Sequence, residues 1–153
     1  MQGARKEQGA VMVEFALVLV PLLIVVLGII QFGLVLNAKI DETHLTRDGA
    51  RYAAVNQNPD PGLGSLQDYI LSKADTQDLR DNAQVCLDFL TNPETGTSGE
   101  VGDPVEMTMS YTYNLLPFLG NKLATTGLTV DVVSRGTMRL EAPPDDIDAG
   151  CTS

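Results

Sequence analysis

The chain is poor in the residues on which most site chemistry depends. Its 153 residues contain one histidine, His44, and two cysteines, Cys86 and Cys151. A single imidazole excludes a histidine-rich metal site and leaves a Ser-His-Asp triad one candidate base; His44 reads instead as a solvent-facing residue of a helix. No G-x-x-x-x-G-K-[ST] run occurs, so any ATP that drives a process involving this chain is hydrolysed by another protein. Basic residues are scarce as well: 10 Lys and Arg stand against 20 Asp and Glu, a formal net charge of -10. Neutralising a phosphate backbone needs a basic patch, and none is present, which excludes nucleic acid as a partner. A chain this short has room for about one compact domain and one further segment, so a large multidomain enzyme is excluded too. No catalytic, cofactor-binding or metal-ligating set emerges, and the expectation is a non-enzymatic protein without a cofactor.

What the chain does have is a concentrated apolar block. From Phe15 to Ile30 every residue is apolar apart from Pro21 and Gly28, and the character resumes after Gln31 as far as Leu36. Val11 to Leu36 as a helix of about 26 residues would extend roughly 39 Å, against about 30 Å for a hydrocarbon core. This predicts a transmembrane helix over 10–36. Gly28 and Gly33 are five apart and form no G-x-x-x-G face, so a glycine seam for homodimerisation is not supported. Arg5 and Lys6 outweigh Glu7 before the block, whereas Lys39 is followed by Asp41 and Glu42 after it. That bias places the N-terminus in the cytoplasm and everything from about Asn37 outside it. The acidic excess lies on the outer side, with about eighteen Asp and Glu against eight Lys and Arg from Asn37 onward.

An ordinary secretory signal has an apolar core of about 7–15 residues followed by a small-x-small cleavage site. This block is longer, and Leu36-Asn37-Ala38 puts a bulky residue where a small one belongs. At the other end, Gly9 precedes Ala10-Val11-Met12-Val13-Glu14-Phe15: glycine, four residues, glutamate and an aromatic, all before the apolar core. This arrangement resembles a class III (type IV) prepilin signal, in which a membrane aspartic peptidase cuts after the glycine on the cytoplasmic side. The resemblance implies a leader over 1–9, a processing site at Gly9 and Ala10, and Glu14 and Phe15 as the fifth and sixth mature residues, engaged in subunit assembly. In pilins the fifth-residue glutamate pairs with the N-terminal amine of an adjacent subunit.

Gly9-Ala10, Val13-Glu14-Phe15-Ala16-Leu17, Pro21, Gly28-Ile29-Ile30-Gln31-Phe32-Gly33 and Arg47-Asp48-Gly49-Ala50-Arg51-Tyr52-Ala53 together resemble the TadE-like family over about a third of the chain. A fainter likeness lies in Val105 to Tyr113 and Met138-Arg139-Leu140-Glu141. The resemblance implies a minor pilin or pseudopilin of a tight-adherence pilus, held in the plasma (inner) membrane or incorporated in the pilus. Its implied partners are a prepilin peptidase, other pilin subunits and the pilus assembly machinery. Two other readings stay open: an unprocessed single-pass anchor whose acidic head binds a partner protein, and a secreted protein released by signal peptidase.

Beyond the membrane, Ala38 to Val55 lacks proline and keeps apolar residues at Ile40, Leu45, Ala50, Ala53 and Ala54, which predicts that the helix continues as a stalk over 37–57. Asn58-Pro59-Asp60-Pro61-Gly62 ends it. Ser65-Leu66-Gln67-Asp68 has the form of a capping box, and Leu66, Tyr69, Ile70, Ala74 and Leu79 follow at helical spacing. Gln84 to Leu90 reads as a strand, Asn92 to Pro104 as a loop, and Val105 to Asn114 as a strand alternating strictly between apolar and polar residues. Tyr111 and Tyr113 fall on its buried side. A connection over Leu115 to Gly127 leads to a second alternating run, Leu128, Val130, Val132, then Met138 and Leu140, with an expected bulge between Val133 and Gly136.

The class expected is therefore α+β: a transmembrane helix, a stalk, a head over 58–141 with one helix and an antiparallel sheet of about three strands, and an irregular acidic tail over 142–153. Asp146-Ile147-Asp148-Ala149-Gly150 has the outline of a calcium loop but lacks its third carboxylate, which favours a solvated tail. Cys86 and Cys151 both fall outside the cytoplasm, where disulfides persist. An intramolecular bond between them is the simplest outcome, with free or intermolecularly paired thiols as the alternative.

Overall fold

The computed structural model describes residues 3–114 and 129–152, with side chains from residue 11. With no breaker but Pro21, the N-terminal run forms a single helix, α1 (Gly3–Ala54), of 52 residues. Two compact units divide at Leu34 and Val35, so α1 contributes its first part to one unit and its second part to the other. In the first unit the apolar side chains stand exposed, among them Phe15 at 65% and Ile29 at 68%. A soluble helix would bury such a surface.

The second unit is the head. α1 ends because Asn56 adopts a left-handed conformation, φ 50°, while the Asn56 N–H donates to Ala53 O and the Gln57 N–H to Tyr52 O. These two bonds make a Schellman motif with asparagine in the place usual for glycine. After a 3-10 turn at Pro61–Leu63 comes α2 (Leu66–Ser72), opened by the expected capping box between Ser65 and Asp68. The expected single helix is in fact two. The chain breaks after Lys73, and Thr76 caps a second short helix, α3 (Gln77–Asn82), its hydroxyl accepting from the Leu79 N–H. Both keep their apolar positions, with Leu66 and Ile70 of α2 and Leu79 of α3 buried, as is Ala74 between them.

Among the described residues four strands follow, β1 (Gln84–Phe89), β2 (Pro104–Asn114), β3 (Thr129–Arg139) and β4 (Gly150–Cys151). They form an antiparallel sheet in the order β3-β2-β1-β4. Alternation does what a strand requires: Val85, Leu87, Val105, Met107 and Met109 are wholly buried on one face, each contributing about 1.5–3 kcal/mol by leaving water.

Three expectations change here. The segment expected as a stalk is a core element of the head: Ala38, Leu45, Ala50, Ala53 and Ala54 belong to the same buried cluster as the sheet residues. The expected bulge is absent, since β2 and β3 stay in unbroken register from Pro104↔Arg139 to Asn114↔Thr129. Gly136 is required instead by close approach, because a Cβ there would lie 2.4 Å from the carbonyl oxygen of Thr46 in α1. The tail is not irregular throughout: Ile147 is buried, and Gly150–Cys151 adds the fourth strand against β1. The expected connection Leu115 to Gly127 and Leu128 lie outside the described residues.

Candidate functional site: the anchor segment and the closed head

Gly9 and Ala10 lie within α1, as do Glu14 and Phe15. Glu14 is exposed and is the only charged residue from Ala10 to Ala38. One turn separates Glu14 from Ala10 on a helix rising about 1.5 Å per residue, so a charge at residue 10 and the carboxylate lie within reach of one another or of the same groups on a neighbouring helix. Further along the first unit, a Cβ added at Gly28 or Gly33 meets nothing within 4 Å. Among the described residues, α1 is the one helix long and apolar enough to cross a membrane.

In the head, Cys86 and Cys151 face each other across β1 and β4 and are joined, S–S 2.02 Å, over a separation of 65 residues. The register that brings them together is held by hydrogen bonds as well. The Thr152 N–H donates to Val85 O at 2.8 Å, and the Gln67 amide donates to the carbonyls of Asp148 and Gly150 at 3.0 and 3.2 Å. Asp146, in the stretch with the outline of a calcium loop, donates its N–H to the Asn56 side-chain oxygen at the end of α1, 3.1 Å away. That stretch therefore tethers the tail. His44 is exposed on α1. Tyr111 is buried and its hydroxyl donates to Asp78 of α3; burial, then the carboxylate it bonds, raises its phenol well above the ordinary range. Tyr113 meets it edge to face at 6.1 Å, so the pair packs the core rather than stacking a ligand.

Sequence reasoning passed over Glu42. It is wholly buried between α1 and β3, where its Oε2 accepts a hydrogen bond from the Ser134 hydroxyl at 3.1 Å. Lys39 Nζ donates to the same hydroxyl at 2.9 Å and to the carbonyl oxygen of Val133. Burial pushes the Glu42 carboxyl from 4.5 to about 7; the Ser134 bond and the Lys39 charge only partly oppose it, and Asp41 adds to the rise. The signal was available: Ala38, Glu42, Leu45, Gly49 and Ala53 follow one another at steps of three or four, so the carboxylate sits on the buried stripe of the helix.

Fold and anchor define a class: a small α+β head on a chain with one N-terminal helix compatible with single-pass membrane anchoring. Residues 9–51 match the family model for TadE-like protein, which covers the anchor and the part of α1 that enters the head. The matched stretch begins at the glycine singled out above and takes in Glu14, Phe15 and Gly49. No curated protein and no solved structure matches the chain significantly.

Proposed function

We propose that the chain is a non-enzymatic minor pilin or pseudopilin of a tight-adherence pilus, cut after Gly9 by a prepilin peptidase and acting in pilus assembly. The observation that carries this reading is the TadE-like match over residues 9–51 coinciding with Gly9, Ala10, Glu14 and Phe15 at the head of an exposed apolar helix. In this reading α1 crosses the inner membrane with its start in the cytoplasm, and the disulfide-closed head lies outside, where such bonds persist.

Glu14 then has a specific task. A carboxylate drawn into lipid costs at least about 2.5 kcal/mol and needs a cationic partner. Cleavage supplies one, the new amino group of Ala10 on a neighbouring subunit. Insertion depends on the apolar helix and cleavage on Gly9, so Glu14→Ala should insert and be processed normally yet leave cells without pili. Wild-type numbers of pili on cells carrying only Glu14→Ala would reduce Glu14 to a marker of the membrane edge.

A further inference from the structure

Among the described residues two carboxylates are buried in the head, and they are treated differently. Asp103 has both oxygens served: Oδ1 accepts from Asn92 and Thr97, and Oδ2 from the Glu100 N–H. Glu42 has one oxygen served, by Ser134, while its Oε1 has no hydrogen-bond partner among the described residues. A buried ionised carboxylate that is half-satisfied opposes the packing around it, whereas a neutral carboxyl in the same place does not. The helix and the sheet are also closely packed beside it, since Gly136 of β3 lies against the backbone of Thr46 one turn further on. β3 itself is at the end of the sheet order and pairs with β2 alone.

The geometry points to a proton-operated latch: protonated Glu42 locks the 39–46 stretch of α1 onto β3, and ionised Glu42 loosens that seam selectively. The groups that face it set its direction. From α1 come Lys39 and Asp41, from β3 Ser134 and the Val133 carbonyl, and from β2 Tyr111, whose hydroxyl is committed to Asp78 of α3. Lys39 is the single cation among them, and it reaches Glu42 through Ser134 rather than directly. His44 is exposed and two residues along the helix, so it offers no second cation inside the seam. Asp41 accepts from the Asp75 N–H at 2.9 Å and adds negative charge beside the site. With burial holding the carboxyl at about 7, the latch operates between pH 4.5 and about 7, a range set by the two titration points. Because the folded value is raised, the closed seam is fully favoured below pH 4.5 and loses that advantage as pH rises through 7. The inference is independent of any role in a pilus.

Backbone hydrogen exchange on the full-length protein in detergent micelles tests it, comparing β3 with β1 at pH 5.5 and 8 after correction for intrinsic rates. Protection of β3 should fall roughly tenfold to thirtyfold more than that of β1 in the wild type. Glu42→Gln, neutral and nearly the same shape, should hold β3 protection level between the two pH values. Ser134→Ala removes the one bond that stabilises the ionised form, so it should move the midpoint upward without abolishing the response, which a purely structural role would not do. A β3 response equal to that of β1 in the wild type, the same β3 response in Glu42→Gln, or a Glu42 carboxyl titrating near 4.5 by NMR would each overturn the latch.

Discussion

Replacing Gly136 with alanine adds one methyl group where β3 lies against the backbone of α1. Its Cβ would stand 2.4 Å from Thr46 O, 2.6 Å from Thr46 C and 2.9 Å from Arg47 N, all backbone atoms of α1. Ordinary contact begins near 3.4 Å, so helix and strand must separate by about 1 Å, which no side-chain rotation can supply. Overpacking of this kind costs about 1–3 kcal/mol. For a head of this size that lowers the melting temperature by roughly 4–15 °C. The signal is convenient: all four tyrosines, Tyr52, Tyr69, Tyr111 and Tyr113, lie in the head and the chain has no tryptophan, so the tyrosine band of the near-UV circular dichroism spectrum of the full-length protein in detergent follows the head. Two substitutions calibrate the result. Gly49→Ala meets the Met107 thioether at 1.9 Å, a flexible side chain, and should cost less; Gly28→Ala meets nothing within 4 Å and should leave the head transition where it is. If Gly136→Ala melts with the wild type, α1 and β3 are not packed backbone to backbone and the account of this glycine is wrong.

Two further outcomes follow from the same chain. Gly9→Leu should leave the full-length precursor in the membrane, and a normally matured Gly9→Leu protein would remove the prepilin reading. The Cys86→Ser/Cys151→Ser double variant should lose about 2–4 kcal/mol of head stability, and in the wild type neither cysteine should accept an alkylating reagent until reduced; prompt alkylation of both would contradict the bond.

The parts that were legible in the residues are those whose cause is local. The apolar block, the capping box at Ser65 and the alternation from Val105 to Tyr113 each depend on neighbours a few positions away, and each forms the element expected. What was misread depends on distant partners. The segment after the apolar block looks weakly apolar because its contact residues are mostly alanines and Gly49, yet small side chains are what allow a helix to lie so close to a sheet. Gly136 was read as a bulge for want of knowing that Thr46 lies above it. The two-residue strand β4 has no sequence pattern of its own and exists through its register with β1, the Cys86–Cys151 bond and the hydrogen bonds of Thr152 and Gln67. Glu42 sits on the buried stripe, but hydrophobic patterning counts it as an interruption rather than as a member.

The central claim is processing at Gly9 ahead of pilus assembly, and the mass of the N-terminal peptide of protein recovered from membranes tests it most directly. The expected result is a mature chain beginning at Ala10. An intact Met1 would contradict it in favour of an unprocessed anchor, and a start near Lys39 would contradict it in favour of a secreted head.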